Sequence, residues 1–329
     1  MMETAPDITF LTPLYNCEDT VVETLESIRQ LRTEKICQLI VIDDGSIDSS
    51  LEKVRNWARQ TMLPKYWSIQ ILQQSNQGEA AAINLGLRHA QGSCIAWVES
   101  DVKLHPDWLE LLLNDLLEEK VMGAGGLLLP AEDDSAIARI FGYEVAYKII
   151  TNEEYPRHIT SANAMYKRAV FEALGPCTRQ LGESSFDSEY NSRILQQGWK
   201  LKVNKQALAW HHFKSGFTDC LRRTFWYGFR RPYVKSQVLY PADRWLGILV
   251  LFSSLLVPAL CLLPIFPLTM SWLVLLLLVI HFLYSLSLFR YFKYRTLLIA
   301  FPLFLLRNSL FFYAYLSGWA NYLLVDRKQ

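Results

Sequence analysis

Between Arg244 and Arg290 the chain has no Asp, Glu, Lys or Arg, although 20% of the whole sequence is charged. Other features are missing as well. The six cysteines (Cys17, Cys37, Cys94, Cys177, Cys220 and Cys261) form no C-x-x-C pair. This argues against a zinc site and a disulfide framework and fits a reducing compartment. No G-x-G-x-x-G links the first expected strand to the first expected helix, and no G-x-x-x-x-G-K-[ST] occurs, which disfavours a dinucleotide site and excludes a P-loop. Gly123, Gly125 and Gly126 precede an apolar run rather than a helix. The formal net charge of +1 gives no support to a nucleic-acid partner. The start, MMETAPDITF, has no basic stretch before an apolar core, so no cleavable signal is expected. Internal repeats and low-complexity tracts are absent.

The uncharged stretch sets the first expectation. Spanning a bilayer takes roughly 20 apolar residues. Trp245–Phe266 and Ser271–Phe289 meet that length; Thr296–Leu324 does too, but carries Arg307-Asn308 near its middle. This third run reads as a span, a hairpin or an interfacial helix. Arg290–Arg295 (RYFKYR) is strongly basic, and basic loops stay in the cytoplasm. The expectation is a multi-pass protein of the cell (inner or plasma) membrane with a cytosolic N-terminal domain. Its divisions would be a globular domain over 1–214, an amphipathic interfacial segment over 215–241 and a membrane domain over 242–329 with two to three transmembrane helices. LRRTFWYGFRR, with Lys235, is basic and aromatic and suits contact with anionic membrane lipids.

The first half alternates strands and helices. ITFLTPLYN, CQLIVIDDGS, WSIQILQQS, CIAWVESD and VMGAGGLLLP read as strands. Between them EDTVVETLESIRQL, DSSLEKVRNWARQ, EAAAINLGLRHA and HPDWLELLLNDLLEE have helical spacing, with Asp48 or Ser49 as N-cap of the second and Pro106 near the start of the fourth. This order implies an α/β fold, a mostly parallel sheet flanked by helices. Ligands of such sheets sit beyond the carboxyl ends of the strands. There the chain places Thr12 to Asn16, Asp43-Asp44-Gly45-Ser46, Asn76-Gln77-Gly78 and Glu99-Ser100-Asp101. In an extended segment Glu99 and Asp101 point the same way, and two adjacent anions repel unless a cation sits between them.

TPLYNCE, VIDDGSIDSS, NQGEAAAINLGLRHAQG and VESDV, in this order and spacing, resemble family 2 glycosyltransferases of the GT-A fold, of a membrane-anchored bacterial type. SANAMYKRAVFEALG (Ser161–Gly175) is similar to the family's acceptor-side segment, and FDSEYNSRILQQGWKL (Phe186–Leu201) to its helix bearing the catalytic base. The resemblance implies inverting transfer from a UDP-, GDP- or dTDP-sugar to a lipid-linked or glycan acceptor at the cytoplasmic membrane face. It implies Mg²⁺ or Mn²⁺ bound through Asp101. Glu99 stands where Asp is usual and would reach the metal or a ribose hydroxyl. Hard cations take oxygen ligands, and the metal neutralises the departing diphosphate.

By the same resemblance Asp43 and Asp44 read base or ribose, though an Asp-Gly turn needs no ligand. Thr12, Pro13, Tyr15 and Glu18 would frame the base, with Ser100, Asn76 and Gly78 on the donor side. Ile83 replaces an Arg often found before the residue matching Asn84. Asp187 falls at the catalytic base, with Phe186 where Glu is common; Glu183 or Glu189 is the alternative base, and an acidic helix start also suits the macrodipole without catalysis. His211 or His212 would contact metal or pyrophosphate. Arg223 and Trp226 match the processive Q-x-x-R-W pattern only loosely, with Phe225 in place of its second Arg, which favours transfer of a single sugar. A non-catalytic membrane scaffold and a nucleotidyltransferase are competing readings; the latter would need a basic, glycine-rich first loop, which TPLYNCED is not.

Overall fold

The computed structural model describes residues 5–178, 186–213, 216–230 and 267–324. It divides into two units, Met1–Ala131 with Lys148–His212 and Glu132–Tyr147 with Phe213–Gln329.

The first unit runs β1 (Ile8–Leu14), α1 (Val21–Arg29), β2 (Cys37–Asp43), α2 (Ser50–Gln60), β3 (Ser68–Gln73), α3 (Glu79–His89), β4 (Cys94–Val98), β5 (Val102–Leu104), α4 (Trp108–Leu116) and β6 (Val121–Pro130). The helix α5 (Ala136–Thr151) begins in the second unit, and its end belongs to the first. Then come β7 (Asn163–Lys167), α6 (Arg168–Leu174), α7 (Phe186–Gln196) and β8 (Lys200–His211).

The eight strands form one sheet in the order β3-β2-β1-β4-β7-β6-β8-β5. β1 is parallel to β2 and to β4, and β2 to β3. β1 and β2 are buried almost throughout, as continuous apolar runs in a covered parallel sheet should be. Successive side chains go to opposite faces. Leu11 joins the cluster containing Ala80 and Ile83 of α3, while Phe10 meets Trp67 and Trp108 at 6.2 and 6.5 Å. The strand order reverses between β1 and β4, and a ligand crevice opens at such a switch point.

Beyond β4 the sheet departs from the mostly parallel expectation. β7 inserts antiparallel between β4 and β6, with Cys94 opposite Lys167 and Val98 opposite Asn163. β5 pairs antiparallel with β8, placing Val102 opposite His211. β6 and β8 run parallel with two register shifts. The sheet is therefore mixed and GT-A-like. The physical reason is connectivity: β7 pairs on the side of β4 opposite β1, and the short β5 that follows the acidic turn leaves β4 to pair with β8.

One aromatic cluster fixes both edges of the crevice. Trp97 of β4, 1% exposed, lies 4.8 to 5.8 Å from the rings of Tyr166, Phe171, Phe186 and Tyr190. Each such aromatic pair is worth about 0.5–1.5 kcal/mol beyond area burial. Trp97 precedes Glu99 by two residues and Phe186 directly precedes Asp187, so the same packing holds the strand end and the helix start.

The second unit contains the start of α5, α8 (Phe217–Arg230), α9 (Pro267–Phe292), a 3-10 turn (Arg295–Ile299) and α10 (Phe301–Leu324). Buried Glu144 receives both terminal guanidinium nitrogens of Arg307 and the Tyr284 hydroxyl, the last at 3.1 Å. Asn308 accepts from Arg307 at 2.8 Å and lies 3.4 Å from His281 Nε2. Among the described residues no helix is long and apolar enough to cross a membrane. The expected C-terminal transmembrane helices and the placement as a multi-pass membrane protein are corrected accordingly. The run Trp245–Phe266 lies outside the described residues. The run Ser271–Phe289 falls within α9, which carries His281 and Ser285 on its buried side. The run Thr296–Leu324 begins in the 3-10 turn and continues as α10, whose Arg307 and Asn308 bond to Glu144 and His281 within the unit.

Candidate active site

Four strand ends meet at the crevice. The ends of β1 and β2 are laced together first. Asp44 N–H donates to the Leu14 carbonyl at 2.8 Å, Asn16 N–H to Ser46 Oγ at 3.2 Å and Ile47 N–H to Asn16 Oδ1 at 2.9 Å. Glu18 N–H donates to Asp48 Oδ2 at 3.2 Å, and Glu18 Oε2 accepts from Ser49 N–H at the same distance. Asp48, not the positional N-cap Ser49, accepts the first helical N–H of α2, from Ser50 at 3.0 Å.

Asp44 is buried, and both of its oxygens accept from the loop after β3. Oδ1 takes Gln74 Nε2 at 2.7 Å and Gln77 N–H at 2.9 Å; Oδ2 takes Gly78 N–H at 2.8 Å. A carboxylate offers about four lone-pair positions, so three are committed to the fold. Asp43, also buried, accepts from Ser46 N–H at 3.1 Å and closes the turn. Gly45 makes this turn possible: its φ is +77°, and an added Cβ would stand 2.8 Å from the Asn76 backbone nitrogen. Thr12 is buried within β1, Pro13 is half-buried, and Tyr15 is 42% exposed at the rim. Asn76 is exposed, and Gly78, with φ +87°, is the residue from which α3 starts.

The end of β4 differs. Glu99, Asp101 and His211 converge, with one ligand atom from each within 4.8 Å of the others. His211 Nε2 is 3.1 Å from Asp101 Oδ1 and 3.7 Å from Glu99 Oε2. The β5–β8 pairing produces this meeting: Val102 faces His211 in the ladder, and His212 N–H donates to the Asp101 carbonyl at 3.0 Å. The imidazole is 5% exposed. Two carboxylates and an imidazole around one point form a donor set suited to a divalent cation, so the residues present fit an Mg²⁺ or Mn²⁺ ion. Ser100 sits buried between the two acids, and its carbonyl accepts from Thr20 Oγ1 at 3.0 Å, tying the turn to the start of α1. His212 turns elsewhere, with Nε2 2.9 Å from Glu23 Oε2. Burial alone would raise the Glu23 carboxyl, but Lys103 and His212 beside it hold it below the usual range.

Asp187 opens α7 next to this cluster, its side chain 17% exposed. Ser161 joins the two: its hydroxyl donates to Glu99 Oε1 at 3.0 Å, and its N–H points to Asp187 Oδ2 at 3.5 Å. Asp187 Oδ1 accepts from Ser188 N–H at 2.7 Å, and His158 Nε2 lies 3.6 Å from Oδ2. Glu189 is not brought to this group. Positions two apart on a helix do not face each other, and Glu189 pairs instead with Arg193 at 3.7 Å. Glu183 lies outside the described residues. Ser161 and His158 were missed as site residues; Ser161 sat in the quoted acceptor-side segment, but nothing local marks either as a neighbour of Asp187. Asn84, which follows Ile83, is buried and bonded to Cys177 through both amide atoms at 2.8 Å.

Residues 9–175, half of the chain, match the family model for Glycosyl transferase family 2. The chain is 29% identical over 184 residues to the putative glycosyltransferase EpsH of Bacillus subtilis, covering 52% of this chain and 50% of that protein. It thus spans about half the length of that relative. Among solved structures, it resembles the mannosyltransferase PcManGT from Pyrobaculum calidifontis in complex with GDP-Man and Mn²⁺, with a TM-score of 0.68 and 18% identity, covering 96% of this chain and 88% of that one. It also resembles GalNAc-T7 with UDP, GalNAc and Mn²⁺, with a TM-score of 0.52 and 13% identity over 72% of this chain and 52% of that one. At such identities the likeness establishes the fold.

Proposed function

The chain belongs to glycosyl transferase family 2, and on that premise we propose that it moves one sugar from a nucleoside-diphosphate sugar to an acceptor hydroxyl with inversion at the anomeric carbon. The observation that carries this reading is the meeting of Glu99, Asp101 and His211 at the end of β4, with Ser161 leading from Glu99 to Asp187. In this reading Glu99, Asp101 and His211 hold a divalent cation, which when bound supplies Lewis-acid neutralisation of the diphosphate. Asp187 takes the proton of the acceptor hydroxyl. The acceptor oxygen bonds to the anomeric carbon as the bond to the diphosphate oxygen breaks, and the nucleoside diphosphate leaves. Tyr15, exposed at the rim of β1, and the Asp43 turn frame the nucleoside. Asp44 acts through the loop it fastens. A lipid-linked acceptor drew its support from membrane anchoring and loses it with that correction, so a glycan hydroxyl is the acceptor this reading favours.

A donor screen tests the reading. The protein is incubated with a panel of UDP-, GDP- and dTDP-sugars in Mn²⁺, Mg²⁺ or EDTA, and the freed nucleotide is measured with and without glycan acceptors. The expected result is release of one nucleotide, dependent on a divalent ion and abolished by Asp101→Ala. Release unchanged in EDTA and in Asp101→Ala would overturn the metal reading. Absence of both nucleotide binding and release across the panel would overturn the transferase reading.

A further inference from the structure

A buried set of hydrogen bonds lies behind Asp187. Asn191 lies one turn after Asp187 on α7 and is fully buried. Its Nδ2 is 2.7 Å from the Ile159 carbonyl and 3.0 Å from His158 Nδ1, and its Oδ1 accepts from the Tyr166 hydroxyl at 3.1 Å. A carbonyl only accepts, so the atom facing Ile159 must be the amide nitrogen, and the orientation of the amide is settled. An amide nitrogen only donates. One of its hydrogens serves Ile159 and the other reaches His158, so His158 Nδ1 is the accepting, unprotonated nitrogen. A neutral imidazole then carries its hydrogen on Nε2, and Nε2 faces Asp187 Oδ2 at 3.6 Å.

We infer that His158 is a positioning residue for the transfer: Asn191 fixes its tautomer, and its Nε2–H, together with the Ser161 N–H, aims the Asp187 carboxylate at the acceptor hydroxyl. This rests on the reading of Asp187 as the base. The 3.6 Å contact is longer than a closed hydrogen bond, as contacts of a catalytic base often are before substrate arrives. The arrangement repeats in a different setting the general logic of a base oriented by a third group. A neutral donor steadies the carboxylate without the full charge of an imidazolium, which would weaken it as a base.

The test compares two amides at position 158 in the full chain. Asn reaches the Asn191 side but is too short to reach Asp187; Gln carries an amide N–H about as far as Nε2. The expected result is a kcat lowered roughly 10- to 100-fold in His158→Asn, with donor KM and melting temperature unchanged, and recovery to within about threefold of wild type in His158→Gln. Equal kcat in wild type and His158→Asn, or equal losses in both variants, would overturn the inference. Asp187→Asn is measured alongside. If it retains full turnover, the base reading fails and the inference with it. If it is inactive while His158→Asn is unimpaired, only the role of His158 fails.

Discussion

β2 and β4 both end in acidic residues at the same rim of the same sheet, yet the two ends do opposite things. Asp44 gives both carboxylate oxygens to Gln74, Gln77 and Gly78 and fastens the β3–α3 loop onto the crevice. Glu99 and Asp101 are gathered instead around His211, with Ser161 as the link to Asp187. The difference lies in the donors each meets. Asp44 meets three amide donors, which commit both of its oxygens to the fold. Glu99 and Asp101 converge on one imidazole, with the Ser161 hydroxyl also on Glu99, and two neighbouring carboxylates repel unless a cation sits between them. Acidic residues at a strand end are therefore not one signal: what arrives from the neighbouring loops decides between a fastener and a ligand site.

The largest expected effect separates these two roles. Asp101→Ala should lower turnover about 10³-fold, the equivalent of ~4 kcal/mol of transition-state stabilisation, through loss of the bound cation. Its melting temperature without metal should stay near that of wild type. Mn²⁺ at 100 times its dissociation constant should stabilise the wild type by about 2.7 kcal/mol and the variant not at all. Thermal melting with and without Mn²⁺ checks both, and a variant that Mn²⁺ still stabilises equally would remove Asp101 from the ligand set.

Asp44→Ala should show the reverse pattern. Three donors would lose their acceptor, and each buried unsatisfied group costs about 1–3 kcal/mol when no water replaces the partner. Water reaches this rim, so a net loss of roughly 2–4 kcal/mol in denaturant unfolding is expected. Mn²⁺ should still stabilise the folded variant as it does the wild type. Loss of the metal response without loss of stability would make Asp44 a ligand and collapse the contrast.

This contrast also shows what the sequence made legible. β1 to β4 could be read because apolar runs alternate with helical periods and end in Pro, Asn, Asp and Gly. The carboxyl-end rule then brought Asp43, Glu99 and Asp101 to one rim. The mixed half of the sheet was hidden. β5 has three residues and β7 five, and the pairings that place them join residues 39 to 109 positions apart, such as Val98 with Asn163 and Val102 with His211. His211 was nameable from the sequence, but its meeting with Asp101 depends on that last pairing. The commitment of Asp44 was equally invisible, because its donors are loop amides whose direction no periodicity encodes. The apolar runs Ser271–Phe289 and Thr296–Leu324 carried the largest error. A uniformly apolar helix reads alike whether it spans a membrane or packs against other helices, and the Glu144–Arg307 pair that draws α10 onto α5 appears only once the helices are placed.

The smallest expected effect concerns Asp48, a second fastener beside Asp44. Burial alone would raise its carboxyl, but the hydrogen bonds from Ser50 and from the Glu18 N–H prevail and hold it below the usual range. A carboxyl whose folded value is depressed binds its proton more weakly in the folded chain than in the unfolded one. Its contribution to stability is then fully present above the unfolded value near ~3.9 and is lost as pH falls through the lower folded value. Asp48→Asn keeps one accepting oxygen but no charge. It should cost under about 1 kcal/mol at pH 7, and the deficit should shrink below about pH 4, where the carboxyl of the unfolded wild type begins to take up a proton. Urea unfolding at pH 7 and pH 3 measures both. A deficit that is the same at the two values would mean that the charge of Asp48 adds nothing to the lacing of β1 and β2, and that the fasteners of this rim act through hydrogen-bond geometry alone.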